Sequence, residues 1–148
     1  MKVLFWSAGA LAGLILAATS HASAQTTQRL MPESLNLEVV DGSLVPSDCM
    51  YPASITDATR FETSCVTMPR VISSEIGSQY IGQLGQAGWR QGDYISGGMT
   101  ATRTDENNCQ RVLNIFPSDY PPGQTTSDIV VLWFALDRTP RCNQAQPG

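Results

Sequence analysis

The chain has 148 residues, with nine basic side chains against thirteen acidic ones and a formal net charge of −4. Excess negative charge disfavours nucleic acid and anionic membrane surfaces as partners, and the length suits one domain with a core of its own. The only histidine, His21, and the only lysine, Lys2, both lie in the first 24 residues.

Those residues read MKVLFWSAGALAGLILAATSHASA, with Lys2 followed by an apolar run and then Ala22-Ser23-Ala24. A basic start, an apolar middle and a small-residue site make residues 1–24 a predicted signal peptide, cut before Gln25. A retained membrane anchor is the competing reading, disfavoured because small residues dilute the apolar run and the cleavage pattern follows it directly. The expected product is periplasmic or secreted, with eight arginines and neither histidine nor lysine. This inventory excludes Ser-His-Asp and Cys-His nucleophiles and histidine-based catalytic zinc. It also excludes Schiff-base chemistry and the phosphate-binding lysine of a nucleotide loop.

Residues 25–47 form an extended lead-in. QTTQRLMPES lacks periodicity and reads as mobile, whereas Leu35, Leu37 and Val39 alternate as in a short strand that stops at Asp41-Gly42. Residues 48–142 form the predicted domain, beginning with an irregular segment around Cys49 and Pro52. The four cysteines, Cys49, Cys65, Cys109 and Cys142, contain no C-x-x-C pair. In an exported chain they predict two disulfides rather than a four-thiolate metal site. Cys49–Cys65 and Cys109–Cys142 are favoured among the three connectivities, because each closes a loop within one half of the chain. No metal or cofactor is expected.

FETSCVTM, 61–68, is rich in strand formers and ends before Pro69. A helix follows, from 73 or 74 to 87. At about 100° per residue, Ile76, Tyr80, Leu84 and Ala87 share one arc with Ile81 on its flank. A serine is the expected N-cap, and Glu75 suits the first turn. Gly88 fits the left-handed position after the helix, with Trp89 folding back onto Leu84. Gly82 and Gly85 each cost the helix about 1 kcal/mol relative to alanine. Gly85 borders the apolar arc and reads as a close approach to the sheet, while Gly82 has no such reading.

The period then changes to two. Residues 89–96 and 99–104 read as a hairpin turned by Gly97-Gly98, and 109–116 alternates again after the polar turn DENN. A long loop, 117–128, leads to IVVLWFAL, 129–136, whose continuous apolar run predicts a central strand buried on both faces. Residues 143–148 read as a mobile tail. The glycines between 82 and 98 fall within or after a helix and match neither G-x-G-x-x-G nor a nucleotide-binding loop, so they are not a phosphate cradle.

The predicted class is α+β: one amphipathic helix on a four- to five-stranded, mainly antiparallel sheet, in the order strand, helix, meander. That order resembles the cystatin-like folds, in which a helix crosses a wrapped antiparallel sheet; no QxVxG-type motif accompanies it to carry over protease inhibition.

For function, the leading expectation is a small exported, non-enzymatic domain that binds a protein or a cell-envelope component. Candidate binding residues are Arg90, Tyr94, Arg103 and Tyr120. Alternation from Trp89 places Arg90 and Tyr94 together on the sheet face away from the helix, while Arg103 and Arg111 lie on neighbouring strands and Tyr120 in the proline-rich loop. The ordinary alternative is a solvated sheet face. Two other readings are a secreted inhibitor of a hydrolase and a carboxylate-dependent hydrolase acting on glycan. The last would need two of Asp93, Asp105, Glu106, Asp119 and Asp128 held in one cleft.

Overall fold

The computed structural model describes residues 28–95, 97–124 and 127–142. The predicted signal peptide and the predicted tail lie outside them. Two short strands, β1 (Arg29–Leu30) and β2 (Leu37–Glu38), pair as a ribbon. Next come β3 (Phe61–Pro69), the helix α1 (Ser73–Gln86), β4 (Arg90–Ile95), β5 (Gly98–Thr104), β6 (Cys109–Asp119), β7 (Ile129–Asp137) and β8 (Arg141–Cys142). The main sheet is antiparallel in the order β3-β7-β6-β5-β4, and β8 pairs with the start of β6. This is the α+β class read from the sequence.

The chain leaves one edge of the sheet at β3 and re-enters at the opposite edge with β4, so α1 must cross the face between them. It does so on the arc expected for Ile76, Tyr80 and Leu84, which are buried and packed with Val66, Leu113, Ile115, Leu132 and Phe134, whereas Ala87, placed on the same arc, is the exposed C-cap just past the helix. Even-numbered residues of β7 from Val130 to Leu136 join this core, whereas Val131, Trp133 and Ala135 are buried on the other face. A continuous apolar sequence is what a strand flanked on both sides by packed layers requires.

Three local expectations change. The helix starts without a serine cap: Ile72 holds the N-cap position after a short 3-10 turn, and the Ser73 hydroxyl donates backward to Arg70 O at 2.8 Å. Gly98 is already the first residue of β5 and pairs with Ile95, so Gly97-Gly98 is not the two-residue turn of the hairpin. A side chain at Gly98 would meet Ile115 O and the Phe116 ring at 2.5 Å, so its role is close strand packing rather than the turn. β6 continues through Pro117 to Asp119, which shortens the predicted loop.

The largest change is in the lead-in. Residues 28–47 are packed, with Leu30 2 % exposed and Met31, Leu35, Leu37 and Val40 also buried. The alternation at Leu35, Leu37 and Val39 marks β2, but the burial of Leu30, Met31 and Val40 has no periodic signal, because β1 is only two residues long. The ribbon is held to α1 by Gln83, which accepts from Glu38 N at 2.8 Å and donates to Glu38 O at 3.0 Å. Beneath it, the Tyr80 hydroxyl accepts from Val40 N and lies 2.9 Å from Ser43 Oγ.

The opposite sheet face is covered by residues 48–60. The Cys49–Cys65 disulfide ties this segment to β3, and Trp133 Nε1 donates to Cys49 O at 2.8 Å. Ile55, Phe61, Val131 and Trp133 form a second small core there, with Tyr51, Phe116 and Tyr120 packed against it. The second disulfide, Cys109–Cys142, holds β8 against β6.

Candidate functional site

An apolar cleft opens between the first half of α1 and the sheet. Its volume is about 300 Å³, at the small end of ligand-binding cavities. Met68, Met99, Ile115, Val130 and Leu132 form the floor, Gly77 and Ile81 the helix wall, and Tyr94 the outer lip. The polar side chains along it are hydroxyls, those of Ser73, Ser74 and Tyr94. Gly77 keeps the helix wall thin: a Cβ there would meet nothing within 4 Å.

A second recess, about 150 Å³, continues along the helix toward its C-terminus. Gly85, Trp89, Gln91 and Ala101 line it, and it shares Ile81 and Met99 with the first. Gly85 does not serve the close helix–sheet approach read from the sequence, since a Cβ there would also meet nothing within 4 Å.

Tyr94 reaches the cleft because β4 contains a bulge. Gln91 pairs with Ala101 and Tyr94 with Met99, so Gly92 and Asp93 together oppose the single residue Thr100. The extra residue reverses the alternation. Tyr94 therefore lies on the helix side, where its hydroxyl accepts from Gln91 Nε2 at 2.9 Å. Gly92 allows this geometry, because a Cβ would stand 2.6 Å from Thr100 Oγ1. A sequence reading by strict alternation puts Arg90 and Tyr94 on one face; the bulge puts them on opposite faces. Asp93 next to a glycine on an edge strand was the available signal.

The other candidate residues are also separated. Arg103 lies over the Trp89 ring, 5.1 Å from its centroid, with Nη1 3.5 Å from Ala87 O at the C-terminal end of α1. That position suits a cation beside the negative end of a helix. Arg111 is its cross-strand partner. Among the described residues, Trp89 Nε1 and Arg111 Nε are buried without a hydrogen-bond partner. Tyr120 packs on the outer core, its hydroxyl donating to Asp48 O at 3.0 Å. Arg90 and Tyr120 are thus remote from the cleft in the fold, and of the four candidates it is Tyr94 that lines it.

The carboxylates considered for hydrolysis do not converge on the cleft. Asp119 pairs with Arg70, and Asp105 accepts from Asn107 N and Cys109 N within the β5–β6 turn. Glu106 belongs to the same turn, while Asp93 sits in the bulge of β4 and Asp128 is exposed before β7. Among the described residues, no group of three histidine, cysteine or acidic side chains is placed to hold a metal ion.

The fold and the cleft together define a small, doubly disulfide-bonded α+β domain with an apolar recess under its helix. No family model matches the chain, and no curated protein or solved structure matches it. Two disulfides fit an oxidising, non-cytoplasmic compartment. No helix among the described residues is long and apolar enough to cross a membrane.

Proposed function

We propose that this chain is a non-enzymatic binding domain of the periplasm or the extracellular space, which receives an apolar group of a protein or envelope component in the helix–sheet cleft. The observation that carries this reading is the cleft itself, a cavity of about 300 Å³ with an apolar floor and hydroxyls along its rim. Apolar cavities with few polar groups are the usual form of a small-ligand site. The scattered carboxylates, and the absence of histidine and lysine after residue 24, favour binding over catalysis.

Nile red, an uncharged dye that brightens in apolar surroundings, tests the proposal. Saturable binding to the wild-type chain is expected. Gly77→Phe, which places a ring in the open space beside the helix, should weaken that binding at least about tenfold, or 1.4 kcal/mol, with the circular dichroism spectrum unchanged. Equal binding by a correctly folded Gly77→Phe chain would overturn the assignment of the cleft, as would absence of wild-type binding to Nile red and alkyl amphiphiles alike.

A further inference from the structure

Gly77, Ile81 and Gly85 follow one another at four-residue spacing along α1, a row that drifts away from the buried arc, with Gly77 and Ile81 half-buried on its flank and Gly85 exposed. The two glycines lie beside the two recesses, and Ile81 stands between them. Neither glycine is demanded by close packing, since each would accept a Cβ with nothing within 4 Å. Each nevertheless weakens the helix relative to alanine. Gly77 therefore leaves the wall of the first recess bare and Gly85 the exposed rim of the second, at a cost to the helix that no contact within the chain explains.

Across from Ile81, the sheet side of the partition is Met99. Ile81 is β-branched and stiff at χ1, whereas methionine has three rotatable bonds and adapts to irregular space. Met99 is only partly buried, packed against the main core rather than within it. Above the partition the Gln91–Tyr94 hydrogen bond joins the lip of one recess to that of the other. Among the described residues, no Asp, Glu, Lys, Arg or His side chain lines either recess. Such walls suit an uncharged chain and leave any charged head to the rim.

We infer that the two recesses form one elongated site for a single unbranched alkyl or acyl chain, in which the Met99 side chain is the movable partition that sets the length accommodated. This rests on the cleft being a ligand site, and it names the ligand class and a specificity-determining residue. Rotation of Met99 away from Ile81 lets a chain that enters beside Gly77 continue toward Gly85. Bulky or branched groups fit the first recess alone.

The test is competition against Nile red by saturated fatty acids, the matching fatty alcohols and lysophosphatidylcholines, each in a chain-length series below its micelle concentration. In the wild type, affinity should rise by up to about fourfold per methylene until the chain fills the site. Met99→Ala should move the optimum to longer chains. Gly85→Leu, which plugs the second recess, should move it to shorter ones and spare short-chain binding. The head-group arms separate the sources: tighter binding by the lysolipids assigns the site to membrane lipid, and tighter binding by acids and alcohols assigns it to free chains, either supporting the alkyl site. If neither Met99→Ala nor Gly85→Leu alters the length profile while Gly77→Phe still weakens dye binding, the partition is overturned and the cleft reading stands. If branched or cyclic competitors of equal carbon number bind better than linear ones, the alkyl-chain assignment is overturned. If neither dye nor amphiphile binds the folded wild type, both readings fall.

Discussion

Tyr80 is the side chain on which the two layers above the sheet meet. Its ring is fully buried and packs edge-on against Phe134 at 5.4 Å, while its hydroxyl holds the lead-in through Val40 N and Ser43 Oγ. Tyr80→Phe keeps the ring packing but leaves the Val40 N–H buried without an acceptor. The expected loss is about 1–3 kcal/mol, read by urea denaturation, and a loss confined to faster exchange of the amides in 28–47 would show that the ribbon opens on its own. The stripe of apolar residues in α1 identifies Tyr80 as a core residue, but a hydroxyl at the end of a core ring says nothing about which distant backbone it serves. Tyr94 shows the same limit in reverse: its identity was legible as a contact residue, yet the side of the sheet it occupies depends on the bulge at Gly92 and Asp93.

At the scale of elements, α1 ends more firmly than it begins. Gly88 has φ +82°, Trp89 N donates to Leu84 O at 2.9 Å and Gly88 N to Gly85 O at 3.1 Å, the two bonds of a Schellman ending. Gly88 and the apolar Trp89 after it make that ending readable in sequence. Gly82 is different, because it is exposed, lines neither recess and would accept a Cβ with nothing within 4 Å of it. Gly82→Ala should therefore stabilise the chain by up to about 1 kcal/mol and leave ligand affinity unchanged. Thermal melts and Nile red titration of the same variant check both halves. A destabilised Gly82→Ala chain would mean that the helix needs glycine there for a reason outside its own propensity.

At the scale of the molecule, the sheet carries a core on each face, and the two are stabilised by different means. The helix side is a continuous hydrophobic core, whereas the outer side is smaller and depends on residues 48–60 being held against β3 and β7. The Cys49–Cys65 disulfide supplies that hold, across a separation of 16 residues. Replacing both cysteines by alanine should lower stability by about 2–4 kcal/mol. Because Trp133 lies under the tied segment, its fluorescence should shift to the red, while Nile red binding on the opposite face should persist in the folded protein. Loss of dye binding without unfolding would show instead that the two faces are coupled through β7.

Taken alone, the sequence determined the elements whose signals are local. The apolar arc at Ile76, Tyr80 and Leu84, the turn chemistry of Gly88 and the continuous apolar run of β7 each repeat or terminate within a few residues, so a propensity or a period suffices to read them. Tertiary structure decided what covers each sheet face, because burial of Leu30 or Ile55 depends on chain segments far away in sequence. It also decided the candidate site. A cleft is space left between elements, and the same Gly77, Ile81 and Gly85 that read as helix residues become its walls only once α1 is laid across the sheet from β3 to β4.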